Sequence, residues 1–452
     1  MIDTQAIRNK ILDLAIQGKL TKQLPEDGTA EAIVSKARKK TAKMDNIPFD
    51  IPASWIWTSI EEVSIAVGKK EDQIFSNEVK MTGKYPAISQ GEQFIDGYTD
   101  EEKAIMDLPI IIFGDHTKNV KYVDFPFVIC ADGTKCLKIP QANPKYVYYW
   151  MMYASSQIED RGYARHYSLL KKYPLPLPPF SEQKRIVEKI EQAFSVLDTI
   201  DELKAQYADN LTVLKSKLID AAIQGKLTKQ LPEDGTAEEL YQQIQEEKQE
   251  LIKVGKIKKE KPLPKITEDE KPFDIPESWK WVRLENVTTI LGGYAFKSDN
   301  YAKDGFRVIR ISDFNENGLC NSKIVRHPFT NELSKFLIKK NDILLCMTGG
   351  TVGKSYLLNH LDEPMLLNQR VALIRTIVVS PKFINYYILS SLIQDIIAWR
   401  KKSTNDNISM DDIIKFPLPL PPLAEQKRIV EKLEEVLAVC DSLPKMMNDK
   451  EM

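Results

Sequence analysis

A chain of 452 residues, 43% hydrophobic and 28% charged with a formal net charge of −1, falls among globular proteins rather than disordered, fibrous or membrane chains, and its length suggests about three domains. Its longest apolar runs, such as 108–113 and 374–379, stop far short of the roughly 20 residues that span a bilayer, and the amino end has no basic region followed by an apolar run, so no membrane association and a cytoplasmic location are expected. Five scattered cysteines (Cys130, Cys136, Cys320, Cys346, Cys440) and four isolated histidines (His116, His166, His327, His360) lack the spacings of a disulfide framework, a metal site or a catalytic constellation.

In chain order, the first element is a helical stretch with Ile7, Ile11 and Leu14 on one face, running into AIQGKLTKQLPEDGTAE at 15–31, which recurs without a change at 222–238. A basic stretch at 36–43, read as a charged helix or linker with a solvated face, precedes PFDIPASW at 48–55, which returns as PFDIPESW at 272–279. The insert that follows, 49–173, has short apolar runs at 108–113 and 128–130 that read as strands and a helix at 146–157. PLPLPPFSEQKRIVEKIE at 174–191 then returns as PLPLPPLAEQKRIVEKLE at 417–434.

Behind that block, apolar residues at 186, 190, 193, 197, 200, 203, 207, 211, 214, 218 and 222 alternate steps of three and four, the seam of a coiled coil. Pro178-Pro179 cannot continue a preceding helix, Ser181 can cap, Glu182 suits the helix dipole and Gly225 can close the far end. About 43 residues at 1.5 Å each make a rod of roughly 65 Å. A charged stretch at 242–271 follows, read like the one at 36–43, and then a second insert, 273–416, with strands at 306–311 and 342–347 and a helix at 381–399. It shows no sequence likeness to the first.

The order of the repeats closes a circle. Aligned through the repeats, Met452 falls opposite position 209 and Met1 opposite position 208, so a second rod is expected from 425 to the end joined with 1–17, the chain ends meeting in space. The expected fold is α+β: two mixed α/β domains joined by two long antiparallel coiled-coil helices in a pseudo-two-fold circular arrangement. Its segments are 1–46, 47–173, 174–270, 271–416 and 417–452.

Two strings approach known chemistry. TGGTVGKS at 348–355 nearly matches the phosphate-cradling G-x-x-x-x-G-K-[ST], but begins with Thr348, lacks a following apolar helix and soon meets Pro364. Asn143-Pro144-Lys145-Tyr146 is one proline short of the N-P-P-Y of amino-methyltransferases, and a turn opening a helix explains it better. Charge is uneven: 271–416 has 20 Lys+Arg against 15 Asp+Glu, whereas 45–173 has 14 against 18, so only the second insert has the bulk charge of a nucleic-acid binder.

The layout resembles the specificity subunits of Type I restriction-modification enzymes over essentially the whole chain. The residues that carry the resemblance are the doubled PLPLPP-x-x-EQKRIVEK, the repeated GKL run and the I-P-x-S-W entries at 51–55 and 275–279, with GKYPAISQ at 83–90, Asp96-Gly97-Tyr98, Gly114-Asp115-His116, and Asn341-Asp342-Ile343-Leu344 with Gly349 and Gly353-Lys354 inside the inserts. Asn341 departs from the usual glycine. The resemblance implies a non-catalytic DNA-recognition subunit without a metal or cofactor of its own. Each insert would recognise one half of a bipartite double-stranded DNA site. The helices would set the spacer and dock two DNA methyltransferase subunits carrying S-adenosylmethionine, and ATP-dependent restriction subunits, with ATP and Mg, would cleave.

Base edges call for bidentate donors and acceptors and phosphates for cations. The DNA-contact candidates are therefore Lys69, Lys70, Ser89, Gln90, His116, Lys118, Lys121, Arg165, His166, Lys171 and Lys172 in the first insert. In the second they are Tyr294, Lys297, Arg307, Arg310, Lys354, Asn368, Gln369, Arg370, Arg400, Lys401, Lys402 and Asn405. Two alternatives stay open: a nucleotide-dependent enzyme using the 348–355 loop, and a coiled-coil scaffold without sequence preference.

Overall fold

The three-and-four spacing becomes one continuous 44-residue helix, Phe180–Ile223, in a computed structural model that describes every residue except Met1, 35–46, Asp132, Arg161, Tyr163, Ala164, Glu316, 404–406 and 450–452. The helix starts directly after Pro179, so Ser181 lies in its first turn instead of capping it. At the far end Gly225, at φ +71°, takes the left-handed conformation that closes helices. The seam is buried at Ile186, Ile190, Leu197 and Ala222 but exposed at Leu203 and Leu214. Both chain ends and the basic stretch 36–43 lie outside the described residues.

Contacts divide the chain into two units, residues 2–206 and 207–452. In the first, the helix Thr4–Ile16 runs antiparallel to the long helix: Lys204 Nζ donates to the Ile2 carbonyl, Thr4 Oγ1 donates to Asp201 at 2.6 Å, and Arg8 bridges Asp198 and Asp201. In the second, the helix Leu423–Asp449 does the same, with Lys215 on Asp441 and Thr228 Oγ1 and Gln230 Nε2 on Glu425.

The first unit enters its insert on β1 (Ile56–Thr58) and leaves on β10 (Leu175–Leu177), which pair antiparallel. Between them lie β2 (Ile65–Val67), β3 (Gln73–Ile74), β4 (Tyr85–Ile88), β5 (Gly97–Thr99), β6 (Ile110–Gly114), β7 (Val120–Val123), β8 (Val128–Cys130) and β9 (Thr134–Lys138). They form an antiparallel sheet, β2-β9-β6-β7, and a mixed sheet, β3-β8-β4-β5, in which β8 runs parallel to β3 and β4. Ile111, Phe113 and Leu137 of the first sheet pack with the helix Pro144–Gln157, the entry and exit strands and Ile186 and Ile190 of the long helix in one core. Asn143 caps that helix by accepting from the Lys145 and Tyr146 N–H groups, so its near-signature is a helix start.

The second unit repeats the plan with different residues. β11 (Lys280–Arg283) and β21 (Pro417–Leu420) make the entry ribbon. Inside are β12 (Thr288–Gly292), β13 (Phe306–Ile309), the small hairpin β14 (Phe314–Asn315) and β15 (Gly318–Leu319), β16 (Arg326–His327), β17 (Ile343–Cys346), β18 (Ser355–Leu357), β19 (Met365–Leu367) and β20 (Val371–Thr376). The sheet β12-β20-β17-β18 is antiparallel throughout, like β2-β9-β6-β7, and β13 runs parallel to β19 as β4 does to β8. Two inserts without sequence likeness thus share the antiparallel sheet and the central parallel pair, while the hairpin β14-β15 is described in the second alone.

The helix expected at 381–399 is two, Pro381–Leu389 and Ser391–Ser403. Ser390 between them is extended, its hydroxyl donating to the Tyr387 carbonyl, while Asp220 takes the Ser391 N–H and opens a new helix. Asn341 sits at φ +69°, a conformation that glycine and asparagine adopt at least cost, which accounts for its departure from the resembled pattern. All five cysteines are free, and burial pushes the Cys136 thiol up to about 12.

Candidate nucleic-acid interface

The duplicated motifs form the same buried clasp in each unit. Trp55 Nε1 donates to Glu182 Oε2 at 2.9 Å, and Gln23 and Thr21 donate to Glu182 Oε1 at 2.9 and 3.1 Å. In the second unit Trp279 reaches Glu425 at 2.7 Å, joined by Gln230 at 2.9 Å and Thr228 at 3.4 Å. Gln183 Oε1 accepts from the Asn143 N–H at 2.7 Å and Gln426 Oε1 from the Ser380 N–H at 2.9 Å, while Arg185 pairs with Asp27 and Arg428 with Asp234. One glutamate in a helix's first turn therefore gathers the preceding loop and the domain entry, a buried polar centre with its partners supplied.

This scaffold presents one end of each insert's sheets. In the first, β4, β6 and β8 finish at a common edge, where 89–93 and 114–119 meet Ala131 and Gly133. Gln90 Oε1 accepts from the His116 N–H at 2.9 Å, and its carbonyl takes Thr117 Oγ1 at 2.7 Å and Asn119 Nδ2 at 3.1 Å. A Cβ on Gly133 would lie 2.5 Å from Gln90 Nε2, so the three loops touch. Lys118 pairs with Asp160 at 3.0 Å; the Gly162 N–H and Lys118 hold the Asp160 carboxyl below its usual range.

The second insert builds the same edge. Tyr294 N–H donates to the Leu367 carbonyl at 2.8 Å and Gln369 N–H to the Tyr294 carbonyl at 3.0 Å, while Met347 N–H donates to the Arg370 carbonyl at 3.0 Å. Lys354 Nζ donates to the Ile311 carbonyl at 2.8 Å. Ile311 stands two residues past β13 as Gln90 stands two past β4, so Lys354 braces this loop as Asn119 braces the other.

The sequence-derived candidates separate by what their side chains already hold. Lys121 is buried, its ammonium on the Ser89 and Gln93 carbonyls at 2.8 and 2.5 Å, and burial lowers its pKa. Ser89 is buried beneath it, and His166 is buried with Nδ1 3.1 Å from the Asp115 carbonyl. Arg307 is buried against Asn321 and the Cys320 carbonyl, and Asn368 is buried with its Oδ1 accepting the Arg370 N–H. Arg310 is locked to Asp313, whose hydrogen bonds raise the guanidinium pKa, and Lys354 lies over the Phe314 ring. These seven shape the loops from within. Burial of a cation on carbonyl oxygens is not visible in composition or spacing.

Gln90, His116 and Lys118 are half-buried at the edge, while Lys69, Lys70, Tyr294, Lys297, Gln369 and Arg370 are exposed there or beside it. Arg165 and Lys172 are exposed farther along the chain, and Lys171 pairs with Glu61 at 2.6 Å. Arg400, stacked on Trp399 and 3.3 Å from Asp412, lies with the half-buried Lys401 and with Lys402 in the helix Ser391–Ser403. Asn405 lies outside the described residues.

The 348–355 string is not a phosphate loop. Gly349–Thr351 make a short 3-10 turn and the chain continues into strand β18, so no helix N-terminus stands behind Lys354, whose ammonium is turned onto Ile311. Among the described residues no three His, Cys, Asp or Glu are grouped to hold a metal, and no helix is long and apolar enough to cross a membrane.

A family model, Type I restriction modification DNA specificity domain, matches this chain twice, over residues 52–206 and 276–450. The chain belongs to that family. It is 26% identical over 529 aligned residues to the Type I restriction enzyme EcoAI specificity subunit of Escherichia coli, the match covering 97% of this chain and 89% of the relative. The EcoEI specificity subunit of Escherichia coli matches at 26% over 542 residues, with the same coverage. A solved chain from work on complex assembly and conformational transition of the type I R-M system shares the fold at a TM-score of 0.57 and 18% identity, covering 89% of this chain and 95% of that one. Each specificity domain match begins at the proline of an I-P-x-S-W entry, Pro52 or Pro276, and takes in the insert, its sheet edge and the clasp glutamate.

Proposed function

We propose that this specificity subunit recognises a split, asymmetric double-stranded DNA site, each insert contacting one half through the loops at its sheet edge. The observation that carries the reading is the pairing of unlike with like: two inserts of different sequence share the same antiparallel sheet, parallel pair and edge, each mounted on a clasp of the same residues. Different side chains on the same frame mean different half-sites. The contact set at the edge is Lys69, Lys70, Gln90, His116 and Lys118 in the first insert and Tyr294, Lys297, Gln369 and Arg370 in the second, with Arg165, Lys171, Lys172, Arg400, Lys401 and Lys402 as cations off the edge that would meet phosphates. Lys121, Arg307, Arg310, Lys354, Ser89, Asn368 and His166 hold the loops in shape.

In this reading the long helices set the number of unread base pairs and dock two methyltransferase subunits, which supply S-adenosylmethionine. ATP- and Mg-dependent restriction subunits cleave, and the subunit itself makes and breaks no bond. The test is to co-express the chain with its methyltransferase subunits in a host lacking the system and map methylated sites by sequencing. Because β1 and β10 are paired neighbours, the segment between them can be exchanged for that of a relative, and one half of the site should change. A change in both halves or in neither refutes modular recognition, and methylation without any preferred sequence would favour the bare scaffold.

A further inference from the structure

We infer that Phe75 makes an apolar contact with a base in the half-site recognised by the first insert; the inference rests on the reading just given. Phe75 follows β3, which ends at the same edge as β8 because the two run parallel, and the Ala131 N–H donates to the Ile74 carbonyl at 3.1 Å. Its backbone therefore follows directly on the residue that holds Ala131, and Gly133 lies against Gln90 and His116.

The main chain of Phe75 is held on both sides. Its N–H donates to Glu78 Oε2 at 2.6 Å and its carbonyl accepts the Glu78 N–H at 2.9 Å, while its side chain is 74% exposed. The turn uses only backbone atoms of Phe75, so any polar residue would serve the fold equally well. Single exposed apolar residues are ordinary, and Met81 and Met106 are exposed too. Phe75 differs in standing on a fixed backbone next to the loops that meet at Gln90.

The second insert places an aromatic one rung away from the same position. Tyr294 bridges Asn368 in parallel, as Ile74 bridges Cys130, and Gln369 N–H donates to the Tyr294 carbonyl as Ala131 N–H does to that of Ile74. Tyr294 is 42% exposed and packed against Phe296 and Phe336. Apolar side chains discriminate bases through the thymine methyl or an exposed base face.

The experiment uses the full chain with its methyltransferase subunits, comparing wild type, Phe75→Ala and Phe75→Tyr by methylated-site sequencing and by competition binding with oligonucleotides varied at each position. Phe75→Ala should lower the preference at one or two positions of the first half about tenfold or more, leave the second half and the melting temperature unchanged, and be largely rescued by Phe75→Tyr. Unaltered selectivity in Phe75→Ala, or equal loss in both halves, overturns the role of Phe75 alone. A wild-type complex that marks no split site overturns the underlying reading with it.

Discussion

Replacing Glu182 with alanine isolates the clasp that mounts the first insert. The carboxyl group is fully buried and accepts from Trp55, Gln23 and Thr21. The Thr21 hydroxyl can rotate to another partner and the exposed Gln23 keeps its bonds to the Gly18 and Thr21 carbonyls, but the buried Trp55 donor is held by packing, and a buried donor left without an acceptor costs about 1–3 kcal/mol. Glu182→Ala should therefore destabilise by about 1–3 kcal/mol, a sizeable share of the roughly 5–15 kcal/mol that holds a folded domain. Trp55→Phe, which removes one bond and keeps most of the packing, should cost about 1–2 kcal/mol. Denaturant unfolding followed by peptide-resolved hydrogen exchange gives both size and location: Glu182→Ala should weaken protection within 2–206, and Glu425→Ala within 207–452. The two effects should add within about 0.5 kcal/mol, since the clasps share no residue. A Glu182→Ala variant within about 0.5 kcal/mol of wild type, or less damaged than Trp55→Phe, would refute the clasp as a buried polar centre.

Gly225→Ala should cost about 2 kcal/mol or more, combining a left-handed φ of +71° with a Cβ 2.7 Å from Pro276 Cγ, whereas Gly28→Ala, at φ +70° with nothing within 4 Å, should cost only the conformational part of about 1 kcal/mol; thermal unfolding compares them. The Arg283 guanidinium holds the Glu270 carboxyl down to about 2. A lowered pKa stabilises above the ordinary value near 4.5 and is lost as pH falls towards 2, so Glu270→Gln should remove that part of the acid dependence, about 1–2 kcal/mol after allowing for the exposure of the side chain. In DNA binding, Lys70→Ala should lower affinity alike for all sequences and reduce the salt slope by about one, whereas Arg370→Ala should relax selectivity in the second half-site; titrations at several salt concentrations separate the two.

Periodicity exposed the long helix, because an apolar residue every three or four positions allows little else, and the exact repeats pointed to a shared structural task. The task itself was hidden: nothing local links Gln23, Trp55 and Glu182, which meet only when three distant segments fold together. The common topology of the inserts was hidden too, since strands of two to six residues leave almost no pattern and the parallel pairing of β4 with β8 joins segments some forty residues apart. Candidate contacts chosen by residue type mixed Arg370, which is exposed, with Arg307, which is buried on a carbonyl. Type alone cannot separate a cation facing solvent from one that props a loop, and Phe75 drew no notice because one phenylalanine in a polar stretch resembles any small core residue.

The braces at Asn119 and Lys354 grip carbonyl oxygens, at Gln90 and Ile311, and never the side chains those residues carry. Whatever amino acid occupies either position, the peptide oxygen is there to be held. Substitution at either position therefore leaves that brace in place, and the rim can change these side chains while the folded frame keeps both grips.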